Sequence, residues 1–198
     1  MKSKIHKWQI ISAREIVSKD LFSLVEKRCY HPVKKIDHRF YSINSSDWIN
    51  VIPVTADGKI IMLRQHRLGT DEITIETPGG VIETDESPAT AAMRELKEET
   101  GYEAETIQLL SMLSSNPSIM NNHIYFYLAS GCRKTCFQNL DQSEDIEVEI
   151  FSQEEILKMI KDGIISHSIV VTAFLLYFFN ERDESRKGPF GVRSERFK

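Results

Sequence analysis

Over the first fifty positions, apolar residues come in short bursts separated by polar ones. The bursts at 8–11, 22–25 and 40–43 predict three short strands. From Trp48 the pattern sharpens. The β-rich runs 49–55 and 59–63 flank Ala56-Asp57-Gly58, and Asp-Gly between two such runs predicts a hairpin. Ile73-Thr74-Ile75 predicts a further strand, stopped by Pro78-Gly79-Gly80. The period then changes. Ala89, Ala92, Met93 and Leu96 recur at helical spacing and predict an apolar stripe on a helix over 88–100. Ser87 suits its N-cap, Pro88 its first turn and Gly101 its C-terminal stop. Strands are expected over 107–113, 124–129 and 146–151. Ser152 and Glu155 spell a capping box for a helix ending near Gly163. The apolar run 169–179 is too short to cross a bilayer and predicts a buried core helix. Residues 181–198 are charged and expected to be a flexible tail.

Composition changes this picture little. At 198 residues, 41% hydrophobic and 27% charged, the chain can bury a sizeable core. A net charge of −4 argues against a general nucleic-acid-binding surface. Three cysteines, Cys29, Cys132 and Cys136, with no apolar leader at the N-terminus, point to a reducing cytoplasm rather than a disulfide scaffold. The Cys132/Cys136 pair lacks the companion ligands of a zinc site. No membrane partner is expected.

The candidate chemistry sits on the helix over 88–100. Glu95, Glu98 and Glu99 share an arc of about 100°. Like charges at these spacings destabilise a helix by about 0.2–0.5 kcal/mol per pair. They also crowd the end where the macrodipole is already negative. Arg94 offsets part of this. A divalent cation would resolve the rest, since clustered carboxylates are hard oxygen ligands suited to magnesium or manganese. The alternative is a merely solvated acidic face.

Read from Gly80, the sequence is GVIETDESPATAAMRELKEETGY. Gly80, Glu86, Arg94, Glu95, Leu96, Glu98, Glu99 and Gly101 match the box of the Nudix hydrolases, with Tyr102 at a position that prefers an apolar residue. The resemblance implies an α/β Nudix fold, a mixed β-sheet sandwiched between helices, over 48–180. Residues 1–47 would then form an N-terminal β-rich extension. It further implies that Glu95, Glu98 and Glu99 ligate Mg2+, or Mn2+ in its place, with a backbone carbonyl at Gly79. Glu98 is read as ligand or as water-activating base, and Arg94 and Glu86 as residues that orient the ligands.

Three features outside the box resemble the ADP-ribose pyrophosphatase branch and its nucleoside-diphosphate-sugar relatives. They are Arg64-Gln65-His66-Arg67 ahead of Glu76-Thr77-Pro78-Gly79-Gly80, Pro117 sixteen residues after Gly101, and the acidic stretch around Glu144. The branch implies substrate contacts from Arg64, Arg67 and Pro117, and a further catalytic carboxylate from Glu144 or from the position now held by Gln142. It also implies a homodimer paired through the N-terminal extension. Each feature has a plain alternative: surface charge for the arginines, a simple turn for Pro117, a solvated loop for Glu144. Other nucleotide substrates, or a non-catalytic nucleotide-sensing module, remain as alternatives. The segment 116–122 has no role readable from the sequence.

Overall fold

The computed structural model describes residues 5–186. It divides into two compact units, one formed by residues up to Asp47 together with Leu113–Ile124, the other by Trp48–Met112 and Tyr125 onward.

The first unit is built on a three-stranded antiparallel sheet of β1 (Gln9–Ser18), β2 (Phe22–His31) and β3 (Ile36–Ser45), in that order. Each strand has ten residues, well beyond the apolar bursts that predicted it. The polar residues between the bursts extend the strands because they pair across them. Arg28 meets Asp37 at 2.6 Å, Arg14 meets Glu26 at 3.5 Å, and the Tyr41 hydroxyl donates to Glu26 at 3.1 Å. Trp8 stacks edge-on against His31 and Phe40, with centroids at 4.9 and 5.1 Å.

The segment 116–122 is a clasp on β3. The carbonyl of Asn116 accepts from the Ile119 and Met120 N–H groups, closing a turn around Pro117. Ile43 donates to the Ile119 carbonyl at 2.7 Å, Asn121 Oδ1 accepts from the Ser45 N–H at 3.0 Å, and Asn122 Nδ2 donates to the Ser46 carbonyl at 3.0 Å. Asn122 is buried, and its Oδ1 also accepts from the Ser115 hydroxyl. The asparagines satisfy backbone groups beyond the end of a strand, where no ladder remains to do so.

The second unit holds β4 (Trp48–Thr55), β5 (Ile60–Arg67), β6 (Glu72–Glu76), β7 (Tyr102–Glu103), β8 (Thr106–Ser114), β9 (His123–Lys134) and β10 (Ile146–Phe151), though the end of β8 and the start of β9 fall in the clasp segment. The order is β10-β5-β4-β9-β7, with β6 pairing β5 and β8 pairing β9. The expected hairpin turns at Gly58 (φ +79°), and Thr55 closes it by donating to and accepting from Lys59. The helices are α1 (Pro88–Thr100), α2 (Gln153–Lys161) and α3 (Ser168–Arg186). Ile49, Val51 and Ile61 pack against Ala91, Ala92 and Leu96 of α1, while α3 also packs on β4. The sheet is therefore sandwiched between helices, as expected.

Two details of the helices differ from expectation. On α1 the buried face runs through Ala91, Ala92, Leu96 and Glu99, while Met93 is half exposed. The apolar stripe is rotated toward the carboxylates, so Glu99 belongs to the core-facing side. The run 169–179 is buried on one face only: Val170, Ala173, Phe174 and Tyr177 are inside, Leu175 and Phe179 outside. Its helix also continues to Arg186, because the charged residues beyond Phe179 are good helix formers. The remainder of the expected tail lies outside the described residues. The two-residue β7 was too short to leave a periodic signal.

The end of α1 is set by Gly101, in the left-handed region at φ +76°, whose N–H donates to the Lys97 carbonyl at 2.8 Å. A Cβ there would strike the Cys136 carbonyl. Gly101→Ala is expected to cost more than about 1 kcal/mol, measured by urea unfolding.

Candidate active site

Three short segments of the second unit converge on the carboxylates of α1: the Pro78–Gly79–Gly80 stretch after β6, the turn at 83–86, and the loop before β10. The backbone of the first runs alongside β4. Ile49 and Val51 donate to the carbonyls of Gly80 and Pro78 at 2.9 and 2.8 Å. The Gly79 N–H turns the other way and donates to Glu99 Oε2 at 2.9 Å. Backbone closes the space at Gly79, and the end of the Glu95 side chain fills it at Gly80. A Cβ on Gly79 would lie 2.6 Å from the Ile49 carbonyl, and one on Gly80 would collide with the Glu95 carboxylate.

Arg94 organises the acidic face. Its Nε and Nη2 grip both oxygens of Glu86 at 3.0 and 3.1 Å, and Nη1 donates to Glu95 at 2.9 Å and to Glu98 at 3.0 Å. The second Nη2 proton reaches the Val81 carbonyl at 3.2 Å. A guanidinium has five N–H donors, and all are spent on the protein. Arg94 thus holds three carboxylates in place and keeps no free donor. Glu86 is itself fixed by the Glu83 N–H. The Arg94 bonds hold the Glu86 carboxyl below the usual carboxylate range and raise the guanidinium further.

The remaining charges are less well compensated. Glu99 is 4% exposed, and burial pushes its carboxyl well above the usual range against the single Gly79 N–H bond. The charges of Glu95 and Glu144 push it the same way. Burial also raises Glu95, with Arg94 opposing and Glu98 and Glu144 adding to the effect. Glu144 is thus close enough to be felt by both, although it sits in an exposed loop where its carboxylate accepts from the Asp141 N–H at 3.0 Å. That loop is tied to the helix end. Gln138 Nε2 bridges the carbonyls of Glu99 (2.7 Å) and Ile146 (3.1 Å), and Asn139 donates to the Glu98 carbonyl at 2.8 Å. Orphan carbonyls of the last helical turn are satisfied, and the chain is brought back beside the carboxylates. Among the described residues no three His, Cys, Asp or Glu side chains already form a ready cage for a metal. The donor chemistry, with hard oxygens on one rigid helix and a glycine cradle beside Glu95, nonetheless fits a magnesium-type ion.

The other expected site residues divide. Arg67 closes its fork on buried Glu76 at 2.9 and 2.7 Å, and still feels the charges of Glu99 and Glu144. Arg64 makes a bidentate pair with Glu149 across β5 and β10 at 3.2 and 3.0 Å, which accounts for it without a substrate. Pro117 lies in the Asn116 turn of the first unit. Reading the sequence missed the roles of Glu76 and Gln138. Strand alternation does put Glu76 on the face of Thr74, but Gln138 carried no signal.

The family model of the NUDIX domain matches residues 48–174. The chain belongs to the Nudix family. Its curated relatives include the methanol dehydrogenase activator of Bacillus methanolicus, 34% identical over 126 residues, which cover 63% of this chain and 68% of that protein. The ADP-ribose pyrophosphatase of Bacillus subtilis is 32% identical over 114 residues, 57% of this chain and 62% of that protein. The aligned segments thus span about two thirds of these relatives' lengths. The crystal structure of an ADP compounds hydrolase matches with a TM-score of 0.80 at 20% identity, covering 93% of this chain and 98% of that one, and shows the shared fold. Among the described residues no helix of this Nudix protein is long and apolar enough to cross a membrane.

Because Glu86 is depressed in the folded state, the stability it contributes is present above its ordinary unfolded pKa of about 4.3 and is lost as pH falls through the lower folded value. Glu86→Gln should therefore lower the melting temperature near neutrality. The gap to wild type should close below about pH 4, as scanning calorimetry across pH 3–7 would record.

Proposed function

We propose that this Nudix protein hydrolyses the pyrophosphate bond of a nucleoside diphosphate sugar, with ADP-ribose foremost, giving AMP and ribose 5-phosphate. The observation that carries the reading is the carboxylate set of α1: Glu95 and Glu98 held by Arg94, Glu99 held by Gly79, and Glu144 within electrostatic reach. The similarity to the ADP-ribose pyrophosphatase of Bacillus subtilis supports the substrate class.

Glu95, Glu98 and Glu99, with the backbone carbonyl of Gly79, would hold Mg2+ or Mn2+. When bound, such an ion supplies positive charge against the diphosphate and Lewis-acid activation. The chain's own residues do the rest. Glu98 or Glu144, both on the solvent side, takes the proton of the attacking water as an oxygen–phosphorus bond forms and the anhydride bond breaks. Arg67 holds a phosphate oxygen of the diphosphate through its planar fork of donors. Glu95 and Glu99, kept from repelling one another by Arg94 and Gly79, stay in place throughout.

The same reading assigns a homodimer and a cytoplasmic location. Ile10, Ile11, Leu21 and Val33 of the first unit are more than half exposed, which favours a second subunit over solvent. All three cysteines are free thiols, in keeping with a reducing compartment.

A panel of ADP-ribose, other nucleotide sugars, dinucleoside polyphosphates and nucleoside triphosphates, assayed with magnesium, tests the substrate. ADP-ribose should lead, and EDTA should abolish turnover. A triphosphate preferred by about tenfold in kcat/KM overturns the branch assignment. Glu99→Gln and Glu98→Gln should each lose at least about 100-fold in kcat while remaining folded. Glu144→Gln should depress kcat with little change in KM. Light scattering coupled to gel filtration should report twice the 22.8 kDa chain mass, and a monomer would remove the dimer.

A further inference from the structure

Strands β5 and β6 place Arg67 directly opposite Glu72, and Leu63 opposite Glu76. An arginine on a strand edge ordinarily pairs with the carboxylate across from it. Here it does not. The Arg67 fork closes on Glu76, four positions along the ladder and roughly 13 Å away along the strand. The side chain must lie back over Gln65 and Thr74 to get there. What it reaches is prepared for it. The Glu76 side chain is 3% exposed. Thr74 Oγ1 donates to the same carboxylate at 2.6 Å, and His167 Nδ1 stands 3.9 Å from Oε2. That Nδ1 is buried and has no hydrogen-bond partner among the described residues.

A buried carboxylate is an expensive way to anchor a half-exposed arginine, because its desolvation is not repaid at the surface, where Glu72 would serve as well. What Glu76 supplies instead is direction. It turns the guanidinium toward the end of β6 that leads into Pro78–Gly79, the side from which the charges of Glu99 and Glu144 act on Arg67. Two of the five guanidinium N–H groups bind Glu76, which leaves three for another acceptor.

We infer that Glu76 is a positioning residue for the substrate: it draws the Arg67 guanidinium off its register partner and presents the remaining donors to a phosphate oxygen of the diphosphate. Thr74 fixes the carboxylate that does this. The inference rests on the pyrophosphohydrolase reading above, and it deepens that reading by naming what holds the substrate's phosphate ligand in place.

A double-mutant cycle separates positioning from mere stability. Wild type, Glu76→Gln, Arg67→Met and the double variant are compared by KM and kcat for ADP-ribose with magnesium, and by the dissociation constant of inorganic pyrophosphate from calorimetry. Glu76→Gln should raise KM and the pyrophosphate dissociation constant about tenfold while kcat stays within about threefold. In the Arg67→Met background the same substitution should add less than about twofold, since the residue it positions is gone. Glu76→Asp, which keeps the charge on a shorter arm, should fall between. If Glu76→Gln does not fold, Thr74→Val is read in the same cycle, with a smaller rise in KM that also vanishes without Arg67. Unchanged KM and pyrophosphate binding in the foldable variant, or an equal loss in the Arg67→Met background, overturns the inference. A wild-type protein that neither hydrolyses a nucleoside diphosphate sugar nor binds pyrophosphate removes the functional reading and this inference with it. That result is distinct from an active wild type whose cycle is additive.

Discussion

Carboxylates packed on one side of a helix repel each other, and at its C-terminal end they also repel the helix dipole. Helix α1 carries three of them in its last two turns and is folded nonetheless, because a single guanidinium threads between Glu86, Glu95 and Glu98 and ties them to the Val81 carbonyl. That one side chain links the turn at 83–86, the strand-like Gly80–Val81 backbone and the helix. Replacing it with lysine would keep a charge but lose the planar fork that engages four acceptors at once. Glu99, which Arg94 does not reach, takes its place through the Gly79 N–H instead.

The rest of the second unit is arranged to bring backbone close to those carboxylates. The glycines at 79 and 80 give way to the Ile49 carbonyl and to Glu95, and the Gln138 amide draws the Glu144 loop against the helix terminus. The sheet behind them is ordinary aliphatic packing of Ile49, Val51 and Ile61 against alanines and a leucine on α1. Small residues on the helix let it sit close to the strands, so the acidic face stands at the edge of the core rather than clear of it. This is why Glu99 is buried.

Much of this could be read from the chain. The box from Gly80 to Gly101 carried the caps, the helix limits and the carboxylates, because each rests on local rules of spacing and backbone conformation. What could not be read depends on partners distant in sequence. Met93 and Glu99 exchanged their expected environments because the facing strands, not the helix's own pattern, decide which stripe is covered. Arg64 pairs with Glu149 and Arg67 with Glu76 only once β5 has neighbours on both sides. The asparagines of 116–122 looked arbitrary until β3 supplied the unpaired backbone groups they satisfy.

That clasp has a temporal side. The first unit is discontinuous in the chain, so β3 cannot be locked by Asn121 and Asn122 until about 75 further residues after Asp47 have been made. At 5–20 residues per second this is roughly 4–15 s on the ribosome. During that interval the three strands leave the tunnel with their isoleucines and valines uncovered and their closing segment not yet translated. The nascent chain is then most open to chaperones, and to pairing with a neighbouring nascent copy of itself.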